Sequence, residues 1–249
     1  MADARKDEQH NTSGSVLAGR SNLALRIASA LVLAPLALIT AYFGGWPFAL
    51  LWAIAAALVL YEWAALVTAR FRNWGPGQVA WLAAGIVYSA GLFLATIGLR
   101  ADAQFGFAAI LFLFALVWAT DIFAYFAGRA LGGPKLMPRV SPKKTWSGAI
   151  GGTVLGVAAA LLVAAAFGIG NLVAVGVVAV VLSAISQAGD LFESAIKRQF
   201  DVKDSSSLIP GHGGLMDRLD GYAAAVIAAA LIGVARGGLD GPARGLLVW

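Results

Sequence analysis

Apolar residues occur along this chain in continuous runs of about 20 residues, which is the length an α-helix needs to cross the hydrocarbon core of a bilayer. The runs do not show the ten-residue alternation that is typical of transmembrane strands. The pattern predicts an all-α fold, a polytopic transmembrane helix bundle of about seven spans within a range of seven to nine. The candidate spans are 23–43, 46–68, 79–98, 106–127, 148–167, 171–192 and 215–235.

Glycines punctuate these runs in two informative places. Gly44 and Gly45 alone separate the first two spans and predict a tight helical hairpin. In the fifth span, small residues recur at intervals that allow close helix packing of the GxxxG kind. These residues are Gly148, Gly151, Gly152 and Gly156.

The last span is shorter than the others. Its purely apolar part, residues 222–235, is too short to cross the membrane. Its helix must therefore begin earlier, near Gly214, which draws Asp217, Arg218 and Asp220 toward membrane depth.

Composition agrees with a lipid environment. Hydrophobic residues make up 60% of the 249 residues and charged residues only 12%, about half the usual charged share of soluble domains. Cysteine is absent, which excludes a disulfide framework, a thiolate nucleophile and a Cys-ligated metal. The net charge of +5 is explained by basic loops at one membrane surface, so no nucleic-acid partner is predicted.

The distribution of Lys and Arg predicts the orientation. If the N-terminus is cytoplasmic, only Arg100, Arg236 and Arg244 of the 18 basic residues fall on the opposite side. The predicted organisation is a disordered cytoplasmic tail (1–22), N-terminal membrane helices (23–105) and a catalytic membrane domain (106–249). The two long polar loops of that domain, 128–147 and 193–214, are then both cytoplasmic.

Several acids lie within or beside the spans, where a charge at a helix centre costs about 2.5–3.5 kcal/mol and therefore needs a partner or a function. Asp190 and Glu193 share a helix face with Lys197, and an interfacial Glu193–Lys197 salt bridge explains that pair equally well. Asp217 and Asp220 begin the last span. Carboxylates from two helices suit a hard divalent cation, so the sequence predicts a Mg²⁺ site at Asp190 and Asp217 with Asp220 nearby. Glu62 and Asp121 are the other acids of this kind.

Two basic or glycine-rich segments point to phosphate. The run Ser141–Thr145 (SPKKT) predicts a helix that begins at Ser141 and Pro142, whose first turn presents Lys143 and Lys144 to an anion. Plain anchoring of a cytoplasmic loop is the alternative for these lysines. The second segment places His212 among glycines that permit close backbone approach to a ligand.

These residues carry a family resemblance. The segment Ser194–Asp220 (SAIKRQFDVKDSSSLIPGHGGLMDRLD) resembles the signature of phosphatidate cytidylyltransferases, also called CDP-diacylglycerol synthases. The segments Gly189–Ser194 (GDLFES), SPKKT and Asp121–Arg129 (DIFAYFAGR) are similar to further motifs of that family, and together the motifs span about 120–222. Ser147 departs from the pattern, because an acidic residue is expected there in many members.

The resemblance implies transfer of CMP from CTP to phosphatidate, which gives CDP-diacylglycerol and pyrophosphate. It also implies a requirement for Mg²⁺, and the sequence does not decide whether a second, monovalent cation shares the site. It implies an integral protein of the bacterial cytoplasmic (inner) membrane with the active site facing the cytoplasm, membrane lipids as partners, and a homodimer as one allowed assembly. The implied catalytic residues are Asp190, Asp217, Lys144 and Arg218, and the implied metal ligands are Asp190, Asp217 and Asp220. The implied substrate-binding residues are Asp121, Tyr125, Arg129, Ser141, Lys143, Lys144, Thr145, Lys197, Arg198, Lys203, His212, Gly213 and Arg218.

Other functions fit parts of the pattern. A CTP-dependent lipid or polyprenol kinase would transfer the γ-phosphoryl group instead, and a lipid transporter or scramblase would also place charges within the bilayer. A CDP-alcohol phosphotransferase is excluded, because Ala225 stands where its motif has arginine.

Overall fold

The computed structural model describes residues 29, 31–71, 75–206, 208 and 213–249. This part of the chain forms eight helices and one short antiparallel β-hairpin. The elements are α1 (Leu31–Phe43), α2 (Gly45–Arg70), α3 (Pro76–Ala101), α4 (Gly106–Leu131), β1 (Lys135–Met137), β2 (Ser141–Thr145), α5 (Trp146–Ala166), α6 (Leu172–Gln199), α7 (Met216–Gly237) and α8 (Pro242–Leu247).

Six of these helices are long and apolar enough to cross a membrane, namely α2 to α7. The predicted all-α polytopic bundle is therefore confirmed. Helix α1 is apolar but shorter, and the predicted first span, 23–43, begins outside the described residues. Helix α7 begins at Met216, so Asp217 and Asp220 do lie in its first turns, as the length of the last span predicts.

The predicted hairpin between the first two helices is confirmed. Gly44 and Gly45 both have positive φ, at +65° and +58°, a conformation that a side chain disfavours. The Arg100 guanidinium of α3 donates to the carbonyl oxygens of Ala41 (2.6 Å) and Tyr42 (3.1 Å) and so holds the end of α1.

The predicted glycine face of α5 packs against α4. A Cβ at Gly152 would lie 2.5 Å from the Thr120 carbonyl oxygen, and one at Gly148 would lie 2.7 Å from the Ala124 carbonyl oxygen. The two helices thus approach closely enough that only glycine fits at these contacts.

Large apolar side chains face outward on most helices, as expected for a bundle surrounded by lipid. Val87, Leu162 and Val173 are 72%, 72% and 81% exposed. The interior is held in part by aromatic contacts, because the Trp52 ring of α2 stacks on Tyr222 of α7 at 4.9 Å between centroids.

The prediction that a helix begins at Ser141 is wrong. Ser141–Thr145 is strand β2, which pairs with β1 through Lys135 opposite Thr145 and Met137 opposite Ser141. Helix α5 begins at Trp146, with the Thr145 side chain as its N-cap. Pairing with β1 satisfies the backbone of these residues, and it avoids placing two lysines in a helical first turn, where the helix dipole disfavours them.

The connecting segments are also shorter than predicted. Helix α4 continues to Leu131 and helix α6 to Gln199, each beyond the predicted loop boundaries of 128–147 and 193–214. The extended end of α6 still packs on its neighbours through Glu193 and Ile196, which are buried.

Candidate active site

A cavity of about 1160 Å³ lies between the helices and the β-hairpin, and its wall carries two kinds of side chain. Helices α1, α2 and α4 contribute an apolar part, made of Leu33, Ala34, Leu51, Trp52, Ala55, Trp118 and Ile122. The charged part comes from α4, the hairpin region, α6, the segment after α6 and α7, and consists of Asp121, Arg129, Lys135, Lys143, Lys144, Asp190, Lys197, Asp204, Asp217, Arg218 and Asp220.

Lys144 of β2 forms an ion pair with Asp190 of α6. The Ser194 hydroxyl, one turn further along α6, donates to the other carboxylate oxygen of Asp190 at 3.4 Å. Asp190 has no basic residue three or four positions away in its own helix, so its counter-charge comes from the hairpin instead.

Lys197 joins two carboxylates from different helices. Its Nζ lies 2.7 Å from an oxygen of Glu193, one turn earlier in α6, and 2.7 Å from Oδ1 of Asp217 in α7. The predicted salt bridge within α6 is therefore present, and it is extended to α7. All three side chains are largely buried, which strengthens the attraction between their charges.

Asp217 also organises the segment that precedes α7. Its Oδ2 accepts hydrogen bonds from the backbone N–H groups of Gly214 (2.8 Å) and Ser205 (3.1 Å). Gly213 has a φ of +81°, and a Cβ there would lie 2.9 Å from the same oxygen. The predicted close backbone approach in this glycine-rich segment is thus made to Asp217, a side chain of the protein itself.

Two further carboxylates, Asp121 and Asp220, share the cavity with Asp190. Asp121 of α4 and Asp190 of α6 act electrostatically on Asp220 of α7, and Lys144 offsets part of that repulsion. Arg218 exerts an attractive charge effect on Asp121. The cavity therefore concentrates acidic and basic groups from three helices and the hairpin.

The turn from β2 into α5 explains how the structure accommodates Ser147. The Ser147 hydroxyl donates to the carbonyl oxygen of Gly132, and it lies 3.0 Å from the Thr145 hydroxyl. The Thr145 hydroxyl in turn accepts from the N–H of Gly148 at 3.1 Å. Ser147 thus ties the base of the hairpin to the end of α4 without an acidic side chain.

The structure brings most of the predicted site residues to the cavity wall. Tyr125, Thr145 and Gly128 line it together with the charged residues above, and Arg129 donates to the Tyr125 hydroxyl oxygen at 2.9 Å. Four predicted residues within the described chain do not line it, namely Ser141, Arg198, Lys203 and Gly213. His212 lies outside the described residues.

Glu62 has a role near the site that sequence reasoning did not assign. This α2 residue is fully buried, and it accepts hydrogen bonds from groups around the start of α7. Its position within an apolar span marks it as requiring a partner, but nothing in the sequence identifies that partner more than 140 residues away.

The donor set is compatible with a divalent cation, although within the described ranges no group of three or more His, Cys, Asp or Glu side chains is arranged to hold a metal ion. Mg²⁺ is commonly bound through one or two carboxylates, with water and substrate phosphates as the other ligands. Asp190 and Asp220 both line the cavity, and Asp217 lines it with Oδ1 on Lys197 and Oδ2 on the N–H groups of Gly214 and Ser205, which a cation would have to share or replace. The assignment of these three residues as ligands stays a prediction.

Comparison with known proteins gives consistent matches. The sequence model described as "Cytidylyltransferase family" matches residues 72–235. The chain is 42% identical to the phosphatidate cytidylyltransferase of Brucella abortus (strain 9-941), over 86% of this chain and 94% of that protein. It is 37% identical to that of Bacillus subtilis (strain 168), over 68% of this chain and 62% of the relative. It is 31% identical to the phosphatidate cytidylyltransferase of Rickettsia typhi (strain ATCC VR-144 / Wilmington), over 81% of this chain and 87% of that relative.

Proposed function

We propose that this chain, which belongs to the cytidylyltransferase family, transfers a cytidylyl group from CTP to phosphatidate and so forms CDP-diacylglycerol and pyrophosphate. The observation that carries the proposal is that the cavity wall has one apolar part and one charged part. One substrate is a soluble nucleotide with three phosphates, and the other is a lipid with two acyl chains and one phosphate. A single cavity with an apolar part and a charged part can hold both.

The apolar part suits the lipid. Leu33, Leu51 and Trp118 come from three different helices and provide a surface against which acyl chains can pack. A lipid in contact with this surface can place its phosphate among the neighbouring charged residues without leaving the bilayer entirely.

The reaction needs positioning and charge neutralisation more than it needs a protein nucleophile. An oxygen of the phosphatidate phosphate attacks the α-phosphorus of CTP, the bond from that phosphorus to the oxygen bridging to the β-phosphate breaks, and pyrophosphate leaves. Both substrates are anionic, so the site must reduce their repulsion and align the attacking oxygen with the leaving group. The absence of cysteine is compatible with this chemistry.

The basic residues of the wall are proposed to supply that neutralisation. Lys144 and Arg218 line the same wall as Asp190, Asp217 and Asp220, and we propose that they contact the reacting phosphates. Lys143, Lys197 and Arg129 are proposed to bind the remaining phosphate oxygens. Tyr125, Thr145 and Asp121 are proposed to shape the substrate-binding surface. Ser141, Arg198, Lys203 and Gly213, which do not line the cavity, and His212, which lies outside the described residues, remain proposed substrate contacts.

We propose Asp190, Asp217 and Asp220 as the residues that hold Mg²⁺ when the nucleotide is bound. The bound cation would neutralise charge on the phosphate oxygens. Lys144 pairs with Asp190 and Lys197 with Asp217, and these ion pairs orient both carboxylates toward their positions in the cavity wall. Carboxylates already held in this way lose little conformational freedom on binding a cation.

The proposed location is the bacterial inner membrane, with the site on the cytoplasmic face. The bacterial sources of the relatives and the six apolar helices support this location. The excess of Lys and Arg on the side of the hairpin and the 200–215 segment supports the orientation, and CTP is available on that side.

The rival enzyme is a CTP-dependent lipid kinase, and product analysis separates the two. Purified protein in detergent is incubated with CTP, phosphatidate and Mg²⁺, and the soluble products are identified. Pyrophosphate released in step with phosphatidate consumption is the expected result. Release of CDP instead would establish the kinase. In a separate experiment with the protein reconstituted in vesicles, movement of lipid without consumption of CTP would establish a transporter.

A further inference from the structure

We infer that Glu62 is a positioning residue for the proposed transfer reaction: it fixes the start of α7, and with it the acidic and basic residues that α7 presents to the cavity. The inference rests on the proposed function for its activity readout. Glu62 lies before residue 72, where the match to the family's sequence model begins, and it belongs to none of the motifs that carry the resemblance.

The Glu62 carboxylate is buried and saturated with donors. Its exposed fraction is 0%. Oε1 accepts from the Ser206 hydroxyl (2.6 Å) and the Leu215 N–H (2.8 Å), and Oε2 accepts from the Met216 N–H (2.7 Å) and the Ser205 hydroxyl (3.0 Å). A buried carboxylate within an apolar helix is costly unless it accepts hydrogen bonds. The four donors must therefore stay in place around Glu62 for the folded state to be stable.

Two of these donors are backbone N–H groups at the start of α7, those of its N-cap Leu215 and of its first residue, Met216. The N-cap position, Leu215, has no side chain that can satisfy them. Glu62 supplies the missing acceptor from another helix, and its negative charge also complements the dipole at this helix start. The rotation and depth of α7 are therefore tied to a fixed point on α2.

The other two donors tie in the segment that leads to α7. Ser205 contacts both acidic residues, because its hydroxyl lies 3.0 Å from Glu62 while its N–H donates to Asp217 at 3.1 Å. Gly214 passes so close that a Cβ there would lie 2.7 Å from Glu62 and 1.8 Å from the Ser205 hydroxyl. No side chain therefore fits at Gly214 between Glu62 and Ser205.

Glu62 itself is not among the described residues that line the cavity. Its effect must therefore pass through α7, whose first two turns carry Asp217, Arg218 and Asp220 to the cavity wall. Loss of the four bonds should displace these three side chains together. It should thus lower the rate of the chemical step more than it lowers substrate affinity.

The test compares Glu62→Gln with wild-type protein in detergent. Glutamine keeps the shape but presents an NH₂ group where one N–H donor now points. We expect kcat to fall at least about tenfold, because a misplacement of about 1 Å can cost 10²-fold in rate, while KM for CTP changes less than kcat. Hydrogen–deuterium exchange should rise at 205–206 and 215–220. Thr40→Val is the matched control and should retain activity and the wild-type exchange pattern, because the Thr40 hydroxyl is nearly buried and donates to carbonyl oxygens of its own helix α1.

The outcomes distinguish failure of the inference from failure of the proposed function. If wild-type protein is active and Glu62→Gln keeps its kcat, or if exchange near α7 does not change, Glu62 is not a positioning residue. If wild-type protein does not make CDP-diacylglycerol, the proposed function fails, and the exchange measurement still tests the structural link. A purely structural role predicts less folded protein with normal kcat per folded molecule.

A second variant covers the case in which Glu62→Gln does not fold. Ser206→Ala removes a single donor to Oε1 from a segment near the protein surface. We expect a folded protein with a kcat reduced by about threefold to tenfold and faster exchange at 215–216, since only one of the four hydrogen bonds to Glu62 is lost and the loss is smaller than in Glu62→Gln. Wild-type kcat and wild-type exchange in this variant would overturn the inference.

Discussion

Lys144 and Asp190 form an ion pair that joins the β-hairpin to helix α6 across 46 positions of sequence. Strand β2 contains no acidic residue, and α6 has no basic residue three or four positions from Asp190. The pair therefore positions a cation and a carboxylate together at the cavity wall, where the proposed reaction requires a group that binds phosphate beside a group that binds metal.

We expect Lys144→Met to reduce turnover by about 10²-fold or more, because loss of one group that stabilises developing charge has that effect in other enzymes. Arg139→Met is the matched control, since Arg139 is an exposed cation of the same hairpin that does not line the cavity. The measurement is the initial rate of CDP-diacylglycerol formation at saturating substrates. Equal loss in both variants would show that only the net charge of the hairpin matters.

Asp190→Asn and Asp217→Asn should each abolish Mg²⁺-dependent turnover and leave the protein folded in detergent. Each change removes a negative charge from the proposed metal ligands while preserving side-chain shape. The rate is measured as a function of Mg²⁺ concentration, with Asp240→Asn as the control because Asp240 is an exposed acid remote in sequence from the cavity residues. Near-normal activity of either cavity variant contradicts the metal assignment.

Gly152→Ala should destabilise the bundle by about 1–3 kcal/mol, because the new methyl group enters a closely packed helix contact. The Cβ would lie 2.5 Å from the carbonyl oxygen of Thr120. Gly170→Ala is the matched control, since no atom lies within 4 Å of a Cβ there. Denaturation in detergent, followed by loss of helical signal, measures the difference. Equal stability of the two variants would show that α4 and α5 can separate at little cost.

Ala55→Trp should impair use of phosphatidate and spare binding of CTP, because it fills the apolar part of the cavity wall. If phosphatidate binding loses about 1–3 kcal/mol, as overpacking costs in cores, its KM increases by roughly fivefold to 150-fold. Ala53→Trp, on the exposed face of the same helix, is the control. An equal rise in KM for CTP would show that the apolar wall does not belong to the lipid alone.

The spans could be predicted from the sequence because their cause is local. A run of about 20 apolar residues must be helical in lipid whatever its neighbours are. The glycines at 44 and 45 and the early start of α7 follow from the same local constraints, and the structure has both. The division of the chain at residue 105 stays a prediction.

The hairpin could not be predicted in the same way. Ser141 followed by Pro142 is a helix-start signal, but the pairing of β2 with β1 overrides it, and Thr145 takes the capping position four residues later. A helix-start signal depends only on neighbouring residues, so it does not show whether a partner strand is available. The sequence did identify Lys143 and Lys144 as candidate phosphate ligands, and both line the cavity.

The contacts of Glu62 show a second limit. An acid within a span predicts that a partner exists. The partners are two serines and two backbone N–H groups from a segment 143–154 positions away. Backbone donors have no sequence signature, so only the folded arrangement identifies them.

The most direct test of the proposed reaction uses two preparations of CTP, one radiolabelled at the α-phosphate and one at the γ-phosphate. Each is incubated with the purified protein, phosphatidate and Mg²⁺, and the lipids are then extracted. Cytidylyl transfer predicts label in the lipid fraction from the α-labelled CTP only. Lipid label from the γ-labelled CTP, or α-label confined to the aqueous phase, would contradict it.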